Sequence, residues 1–398
     1  MIAPLITVVT PSCNQGQFIR ATIESVLSQQ YPHVEFIVMD GGSTDETASV
    51  VKDYASRLTF LSEKDNGQSH AINKGFRMAH GSILAWLNSD DLYLPGAFHA
   101  AAEAFCGNPA AGAVYGEGYL IDRAGNVTCR FPHTEPLNLW KLVHVSDYIL
   151  QQTVYFRKEA VEQLGYLDED LHYAMDWDIL IRIGMKFPLV YLPKYMGCLR
   201  EYPEAKSFAG GGARIREIHR MLRRHTGLRI PPGSIIYGLD TYHKIWCART
   251  EQALGPRLKP VSKGLQRLIR LGVGLVVSHT LRAQGLSADG WASRLLHYML
   301  PPGSGPLLVE GTVPPERVFR GQSLRMEANG RPLGKFSLPF GDFRLAVEIP
   351  QELQNQALHL KIEASRWVVP FRLALPADGR CLAFKLKDIR WAETYAAG

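Results

Sequence analysis

Short apolar runs and amphipathic stretches alternate along the first hundred residues. The apolar runs are rich in β-branched residues, and they predict strands over residues 4–12, 34–39, 58–62 and 82–87. Apolar positions at helical spacing predict helices over residues 18–30, around Val50, Val51 and Tyr54, and over residues 71–79. This alternation indicates βαβ units, and therefore an α/β fold with a mostly parallel sheet covered by helices on both faces.

Polar segments follow three of the predicted strands at the point where each strand ends. They are Thr10–Asn14, Asp40–Asp45 and Asn88–Asp91. Ligands of such sheets bind beyond the carboxyl ends of the strands, so we expect the three segments to converge on one site. Ser43 or Thr44 is placed to cap the helix that carries Val50 and Val51.

Asp90 and Asp91 come directly after a buried apolar run. Two adjacent carboxylates repel each other, and a divalent cation that also holds a diphosphate would remove that cost. The alternative interpretation is that they cap a helix over residues 92–104. Taken alone, the pair does not decide between a metal site and a helix cap.

The length, composition and hydrophobic pattern of this chain of 398 residues predict several structural regions. They are an α/β domain over residues 1–210, in two halves of about 1–95 and about 96–210, a basic helical segment over 211–300, a linker over 301–306 and an antiparallel β-sandwich over 307–398. The sandwich rests on short alternating strands, on a Pro- and Gly-rich break before them and on the hairpin signal Asn329-Gly330. Its predicted strands are Ser323–Ala328, Phe343–Ile349, Ala357–Ala364, Val368–Leu375 and Cys381–Ile389. Trp367 and Trp391 suit sugar stacking, but core or rim packing is the commoner fate of tryptophan.

The net charge of +6 comes from the middle of the chain. Residues 213–225 and 261–271 are predicted basic amphipathic helices, which suit either an anionic membrane surface or ordinary packing with solvated charges. Nucleic-acid binding is not predicted, because no basic motif interleaved with aromatics occurs. Scattered cysteines without metal spacing, and the absence of a signal peptide pattern or a long apolar span, predict a cytoplasmic location.

Five motifs occur in one order, and together they resemble a family 2 glycosyltransferase with the GT-A fold. They are Ile6–Asn14, Asp40–Thr47, Asp65–Gly75, Leu87–Pro95 and Tyr173–Arg182. The resemblance implies a Rossmann-like sheet and Mn²⁺ or Mg²⁺ as cofactor. It also implies that residues 1–210 are the catalytic domain, with a nucleotide-sugar half over about 1–95 and an acceptor half over about 96–210. It also implies roles for residues at matching positions, namely nucleotide-sugar binding for Thr10, Pro11, Asn14, Asp40, Asp65, Ser89 and Asp90, metal binding for Asp90, the general base for Asp176, and a diphosphate-closing loop with Arg200 and Lys206.

Three positions depart from the family pattern. Asn88 replaces the first acid of the metal motif, Gly41 stands where many members carry an acid, and Met175 precedes Asp176 where many have Glu. The sequence therefore leaves open whether the donor nucleotide contains uridine and whether a metal binds at Asn88–Asp90.

The chemistry of sugar transfer requires one carboxylate on the acceptor side to take the hydroxyl proton. Asp176 suits this role in the first turn of a predicted helix, although it would equally suit a helix cap or a pair with Arg182. Asp178 points to another side of that helix and is interpreted as structural. A single base opposite the leaving group predicts inversion at the anomeric carbon.

The sequence therefore predicts an inverting, metal-dependent glycosyltransferase of bacterial surface polysaccharide biosynthesis. It would use a nucleotide-diphosphate sugar and a glycan or lipid-linked glycan acceptor, in the cytoplasm or on the inner face of the membrane; self-association is left open. A nucleotidyltransferase is disfavoured, because Thr10–Gly16 has one glycine and no lysine. A catalytically silent sugar-binding or scaffolding protein that uses its β domain is the alternative.

Overall fold

The computed structural model describes residues 3–206, 210–239, 241–242, 284–287, 290–368 and 382–392. The chain forms two compact units. The first comprises Met1–Leu137 and Ser146–Ile230, and the second comprises Asn138–Val145 and Pro231–Gly398. Every residue that the sequence places in the candidate site belongs to the first unit.

Parallel strands and helices alternate in the nucleotide half of the first unit, as predicted. In chain order these elements are β1 (Ile6–Ser12), α1 (Gly16–Leu27), β2 (Val34–Asp40), α2 (Thr47–Lys52), β3 (Thr59–Ser62), α3 (Gln68–Met78) and β4 (Ile83–Trp86). β1 pairs with β2 and β4 in parallel, and β2 pairs with β3 in parallel. The carboxyl ends of β1, β2 and β4 therefore lie at one edge of the sheet.

The rest of the first unit continues the same sheet. Its elements, with one helix of the second unit in between, are β5 (Leu92–Tyr93), α4 (Ala97–Gly107), β6 (Ala113–Ile121), β7 (Val127–Arg130), α5 (Leu139–His144), β8 (Tyr155–Arg157), α6 (Lys158–Gln163), α7 (Met175–Gly184), β9 (Leu189–Arg200) and α8 (Gly211–Thr226). The sheet has nine strands in the order β3-β2-β1-β4-β8-β6-β9-β5, with β7 paired to β6. Pairing beyond β4 is mixed, because β8 and β5 run antiparallel to their neighbours and β6 and β9 are parallel.

Alternate apolar side chains of the central strands pack against the helices. Val8 of β1 and Ile19 of α1 are completely buried, and Trp86 of β4 stacks on Phe156 with ring centroids 5.3 Å apart. Burial of this kind stabilises the strands on both faces. The rigid centre leaves the strand ends free to carry polar loops.

The structure contradicts one alternative interpretation and one local prediction. Residues 92–104 do not form one helix after Asp91, because Leu92 and Tyr93 pair with β9 as β5, and α4 begins only after Gly96, whose φ is +81°. Neither Ser43 nor Thr44 caps α2, which begins at Thr47; the Asp45 carboxylate accepts the Thr47 N–H at 3.0 Å instead.

The second unit contains a β-sandwich of two four-stranded antiparallel sheets. Its strands are β10 (Trp291–Ala292), β11 (Leu295–Leu300), β12 (Leu307–Val313), β13 (Ser323–Ala328), β14 (Arg331–Ser337), β15 (Gly341–Val347), β16 (Leu358–Ala364) and β17 (Phe384–Trp391). One sheet has the order β10-β17-β12-β15 and the other β11-β16-β13-β14. Asn329 and Gly330, with φ of +47° and +79°, turn between β13 and β14 as the hairpin signal predicted.

The predicted domain boundaries need correction. Residues 301–306 do not link two domains, because β11 precedes them and pairs with β16 inside the sandwich. Residues 211–230 belong to the first unit, and α8 confirms the predicted helix over 213–225. The predicted helix over 261–271 and most of the predicted strand Val368–Leu375 lie outside the described residues. Trp391 packs as expected, because its Nε1–H donates to the Pro301 carbonyl at 2.9 Å, whereas Trp367 remains 38% exposed.

Candidate active site

Asp40 organises the loop after β2. Its buried carboxylate accepts hydrogen bonds from the N–H groups of Gly42 and Ser43 at 3.2 and 3.0 Å. It also accepts from the hydroxyls of Ser43 and Ser62, both at 2.5 Å. These four donors hold the carboxylate at the end of the strand, and they give the loop a fixed shape.

Asn14 connects this loop to the end of β1. Its backbone N–H donates to Ser43 Oγ at 2.7 Å, and its Oδ1 accepts the Thr44 N–H at 2.9 Å. Asn14 has a φ of +53°, a left-handed conformation that asparagine tolerates better than most residues. The predicted residue therefore shapes the rim of the site.

Two hydroxyls at the end of β1 are buried without a partner. Thr10 Oγ1 and Ser12 Oγ make no hydrogen bond to any residue that the structure describes, and they flank Pro11 in the strand. Buried polar groups are nearly always paired, so orphaned hydroxyls at a strand end mark a place where a ligand can supply the partner. Thr10 was predicted from the family resemblance, and Ser12 was not.

Asp65 faces Gly41 across the rim. A Cβ added to Gly41 would lie 2.8 Å from Asp65 Oδ2, while Oδ1 accepts the Gly67 N–H at 2.8 Å. An acidic residue at position 41 would displace the Asp65 carboxylate and repel it. The departure at Gly41 is therefore matched to the position of Asp65.

Asp91, the second acid of the pair, is an internal anchor. It is 1% exposed, and its carboxylate accepts from Arg200 N at 2.9 Å, Gln152 Nε2 at 2.6 Å and Asn88 Nδ2 at 3.0 Å. Burial, together with the charge of Asp90, raises the pKa of Asp91 to about 8. Its oxygens already have partners, so Asp91 is neither a helix cap nor an open metal ligand.

Asp90 has a different environment. Tyr202 is the one residue of the described part of the chain whose side chain donates to its carboxylate, at 2.7 Å on Oδ2. Burial raises the pKa of Asp90, while the Tyr202 bond and the Arg200 charge act in the opposite direction. Its own backbone N–H also bonds the Asp90 carboxylate, but no second side chain of the described residues donates to it, so it can still accept a cation.

The residues around Asp90 suit a cation that takes one carboxylate from the protein and its other ligands from substrate phosphates and water. Among the described residues, no group of three or more His, Cys, Asp and Glu side chains has metal-binding geometry. The Asn88 Oδ1, which replaces the missing acid, accepts from Gln68 Nε2 at 2.7 Å. One carboxylate with substrate phosphates and water is a usual donor set for Mg²⁺. Ser89 is buried between Asn88 and Asp90.

Arg200 and Lys206 differ in their surroundings. Arg200 is 4% exposed, and its guanidinium donates to the backbone carbonyls of Asp90, Asp122 and Arg123 at 2.6 to 3.0 Å. It therefore braces the turn that carries Asp90. Lys206 Nζ is exposed, donates to Gln68 Oε1 at 2.8 Å and lies 5.8 Å from the centre of the Tyr173 ring.

Asp176 lies in the first turn of α7, as predicted. Burial raises the pKa of its carboxyl, and the Trp177 N–H, which donates to Oδ1 at 2.9 Å, offsets part of this rise together with the charges of Arg214 and Lys206. Asp147 lies close enough to interact with it electrostatically, and burial and the Asp176 charge raise the pKa of Asp147 well above its ordinary value. A carboxylate with a raised pKa is a better proton acceptor.

Asp178 is structural, as the sequence indicated. It accepts from Arg182, Arg224 and His225 at 2.7 Å each. Burial opposes ionisation, but the His225 hydrogen bond and the Arg182 charge outweigh it and lower the pKa of Asp178 to about 2. The pair with Arg182, considered for Asp176, is thus made by Asp178.

Several residues of this region were not found from the sequence. Gln68 joins Asn88 to Lys206, Tyr202 holds Asp90, and Asp147 accompanies Asp176. Gln68 lies within the motif Asp65–Gly75 and Tyr202 lies between Arg200 and Lys206, but nothing in their spacing indicates a contact. Asp147 has no signal, because it follows α5 in an irregular segment.

Residues 7–162 match the family described as Glycosyl transferase family 2. This part of the chain is therefore similar to a family 2 glycosyltransferase domain, and the mixed, mostly parallel sheet of the first unit with its helices is GT-A-like, as the ordered motifs predicted.

Two relatives extend this likeness. An uncharacterized glycosyltransferase of Rickettsia prowazekii is 27% identical over 185 residues, or 44% of this chain and 58% of that protein. Chondroitin synthase of Escherichia coli is 27% identical over 194 residues, or 48% of this chain and 28% of that enzyme. The chain thus spans less than two thirds of the length of either relative.

A solved structure shows a weaker likeness. The mannosyltransferase PcManGT of Pyrobaculum calidifontis, in complex with GDP-Man and Mn²⁺, is 19% identical, with a TM-score of 0.46. The match covers 71% of this chain and 87% of that chain. Separately, the helices within the described ranges include none that is both long and apolar enough to span a membrane.

Proposed function

We propose that this protein is an inverting glycosyltransferase. It would move a sugar from a nucleotide-diphosphate donor to a hydroxyl of a glycan or lipid-linked glycan, in bacterial surface polysaccharide biosynthesis. The observation that carries the proposal is that two neighbouring carboxylates at one sheet edge differ in their hydrogen bonding. Asp91 is fully engaged, whereas Asp90 can still accept a ligand.

The orphaned hydroxyls support a donor site on the same edge. Thr10 Oγ1 and Ser12 Oγ need partners, and a nucleotide offers both donors and acceptors. Asp40 and Asn14 shape the loops around them, and Asp65 faces the pocket rim opposite Gly41. The donor nucleoside would bind there, with its diphosphate directed towards Asp90.

Two positively charged groups, a bound metal and Lys206, would neutralise charge at the diphosphate. Asp90 would hold Mg²⁺ or Mn²⁺, which neutralises charge on the leaving diphosphate when bound. Lys206 is joined to the metal motif through Gln68 and Asn88, at 2.8 and 2.7 Å. Its ammonium group would give up the Gln68 contact to approach the phosphate oxygens.

Asp176 would act on the acceptor side. Its carboxylate would take the proton of the attacking hydroxyl, and its raised pKa favours that transfer. Attack from the side opposite to the leaving diphosphate inverts the anomeric carbon. Asp147 would share this buried environment, where burial and the Asp176 charge raise the pKa of Asp147 itself.

The exposed face of α8 would bring the enzyme to an anionic membrane surface from the cytoplasmic side. Arg216, Arg220 and Arg223 recur along this face and are exposed. Within the described part of the chain, none of them takes part in an ion pair. Leu228 and Ile230 follow with exposures of 44% and 62%, and they provide an apolar contact.

Thermal unfolding in the presence of UDP, GDP, dTDP or CMP, each with and without Mn²⁺, tests the donor site. A ligand that binds only the folded state raises the unfolding midpoint. We expect one nucleoside diphosphate to give a shift that requires the metal. The Asp90→Ala variant should lose it, and Asp53→Ala, which removes an exposed ion pair with Arg20, should keep it.

Turnover completes the test. The nucleotide that binds identifies the donor class, and its sugar conjugates should be hydrolysed slowly in a reaction that a chelator stops. Lack of any shift and of any hydrolysis would contradict the proposal and favour the sugar-binding or scaffolding alternative. A metal-independent shift that survives Asp90→Ala would overturn the role of Asp90 alone.

A further inference from the structure

Glu217 is a buried glutamate on α8 whose carboxylate binds a row of backbone N–H groups. Its Oε2 accepts from His172 at 3.0 Å, and its Oε1 accepts from Tyr173 at 2.5 Å and Ala174 at 2.9 Å. The side chain is only 7% exposed. Three consecutive N–H groups of one segment therefore converge on one carboxylate from another helix.

The segment that Glu217 holds leads directly into α7. Ala174 is the N-cap residue of this helix and provides no side-chain cap, and Asp176 is the second helical residue. The first N–H groups of a helix have no partner within the helix, and a carboxylate near the N-terminus also favours the helix dipole. Of the three N–H groups that Glu217 accepts, that of Ala174 belongs to the helix N-terminus, so Glu217 fixes the chain where it enters α7.

Close packing fixes α8 against the same segment. A Cβ on Gly210, just before α8, would lie 2.6 Å from Cε1 of Tyr173 and 2.9 Å from Cβ of Arg214. On the other side, Ser69 Oγ of α3 donates to the Leu171 carbonyl at 2.8 Å. The residues ahead of Asp176 are therefore held between the nucleotide half and α8.

We propose that Glu217 is a positioning residue that sets the place of the Asp176 carboxylate in the acceptor site. The inference rests on the proposed function, because it gives Asp176 the role of the base. A shift of about 1 Å in a reacting group can lower a rate a hundredfold. Glu217 acts on this distance and does not contact the substrates.

The Glu217→Gln variant tests the proposal with little change in volume. The amide keeps one acceptor oxygen, and its NH₂ group would face a backbone N–H, so at least one of the three hydrogen bonds is lost. We expect kcat to fall about tenfold or more, with the KM for the donor and the affinity for the nucleoside diphosphate almost unchanged. Hydrogen exchange at residues 172–176 should become faster.

Glu117→Gln is the matched control. Glu117 is 3% exposed and bonded by Arg130 and Tyr191 in the same unit, but it does not contact residues 172–174. Its variant should lose comparable stability while keeping kcat. A loss of kcat that follows lost stability alone would appear in both variants, and that result would overturn the positioning role.

A double variant separates this inference from the proposed function. If Glu217 acts through Asp176, Glu217→Gln should add little to the loss caused by Asp176→Asn. If the double variant instead shows the product of the two single losses in kcat, the inference is overturned. It is also overturned if Glu217→Gln keeps full kcat and unchanged hydrogen exchange at residues 172–176. A wild-type protein without turnover would instead contradict the proposed function, whereas the exchange measurement would still report whether Glu217 holds the segment.

Discussion

The Tyr202 hydroxyl donates a 2.7 Å hydrogen bond to Oδ2 of Asp90. Tyr202 follows β9, two residues after Arg200, whose Nε binds the Asp90 carbonyl at 2.6 Å. The Tyr202 ring lies 5.0 Å from that of Phe18 on α1, which keeps it in place. The end of β9 and the residues directly after it therefore orient both the backbone and the carboxylate of Asp90.

Removal of the Tyr202 hydroxyl should weaken binding at Asp90. In Tyr202→Phe the carboxylate loses its one side-chain donor among the described residues, and a hydrogen bond of this kind contributes about 1 kcal/mol. We expect metal-dependent nucleotide affinity, measured by calorimetry, to fall about fivefold. Tyr195→Phe, on β9 and 39% exposed, should keep its affinity; an equal loss in both variants would contradict the role of Tyr202.

Asp176 and Asp178 should respond differently to the same substitution. Asp176→Asn removes the proposed base, so transfer should fall by about a hundredfold or more while nucleotide binding persists. Asp178→Asn leaves Arg182 deprived of its buried partner, so the free energy of unfolding should fall by roughly 3 kcal/mol. Kinetics and urea denaturation of both variants check this, and near-normal turnover by Asp176→Asn would refute the assignment of the base.

A methyl group at position 41 should disturb the donor pocket. In Gly41→Ala the added Cβ would lie 2.8 Å from Asp65 Oδ2, so the carboxylate must move away from its bond to Gly67. We expect several-fold weaker nucleotide binding with little loss of stability. Gly107→Ala, where a Cβ meets nothing within 4 Å, is the control. Unchanged affinity in Gly41→Ala would remove Asp65 from the donor site.

Acid should destabilise the second unit through three histidines. His297 Nδ1 and His359 Nε2 share a 3.0 Å hydrogen bond, which requires one neutral ring, and Lys361 adds positive charge near both. Burial lowers the pKa of each, and it lowers that of His144 to about 4, helped by the charges of the other two. The unfolded chain binds these protons more readily than the folded chain does. The contribution of the neutral histidines to stability is therefore fully present above about pH 6.5 and is lost as the pH falls below that value.

The His144→Gln variant measures this effect. Between about pH 7 and about pH 5, His144 should account for a loss on the order of 1–2 kcal/mol in the free energy of unfolding. Urea denaturation of the full chain at both pH values should show a smaller drop for the variant than for the wild type. His33→Gln, an exposed site in the first unit, should keep the wild-type drop. Equal drops in all three proteins would contradict the prediction.

Charge removal on α8 should release the protein from anionic vesicles. With Arg216, Arg220 and Arg223 changed to Gln, each lost charge should weaken binding by about 1 kcal/mol. Co-sedimentation with phosphatidylcholine vesicles, with and without phosphatidylglycerol, measures this. A control variant changes three exposed arginines of the second unit, Arg317, Arg320 and Arg325. Wild-type binding that ignores phosphatidylglycerol would argue against the membrane role.

Elements whose signal is local were predictable. β13 occupies the predicted residues 323–328, the Asn329-Gly330 turn follows it, and α7 and α8 lie where their patterns indicated. Periodicity and turn chemistry act over a few residues, so they can be recognised along the chain. The break at 301–306 was misread for the complementary reason, because only the pairing of β11 with β16 shows that the sandwich begins before it.

The candidate site also has features that the sequence predicted and features that depend on tertiary contacts. The order of apolar and polar segments was enough to predict the strand ends that carry Asp40 and Asp90, and helical periodicity was enough to place Asp176 in a first turn. Asp90 and Asp91 are equal in the sequence, and only tertiary contacts engage one and leave the other open. Glu217 reaches the start of α7 in the same way, through a distant helix. Side-chain partners far apart along the chain depend on how the elements pack, and local patterns do not encode that packing.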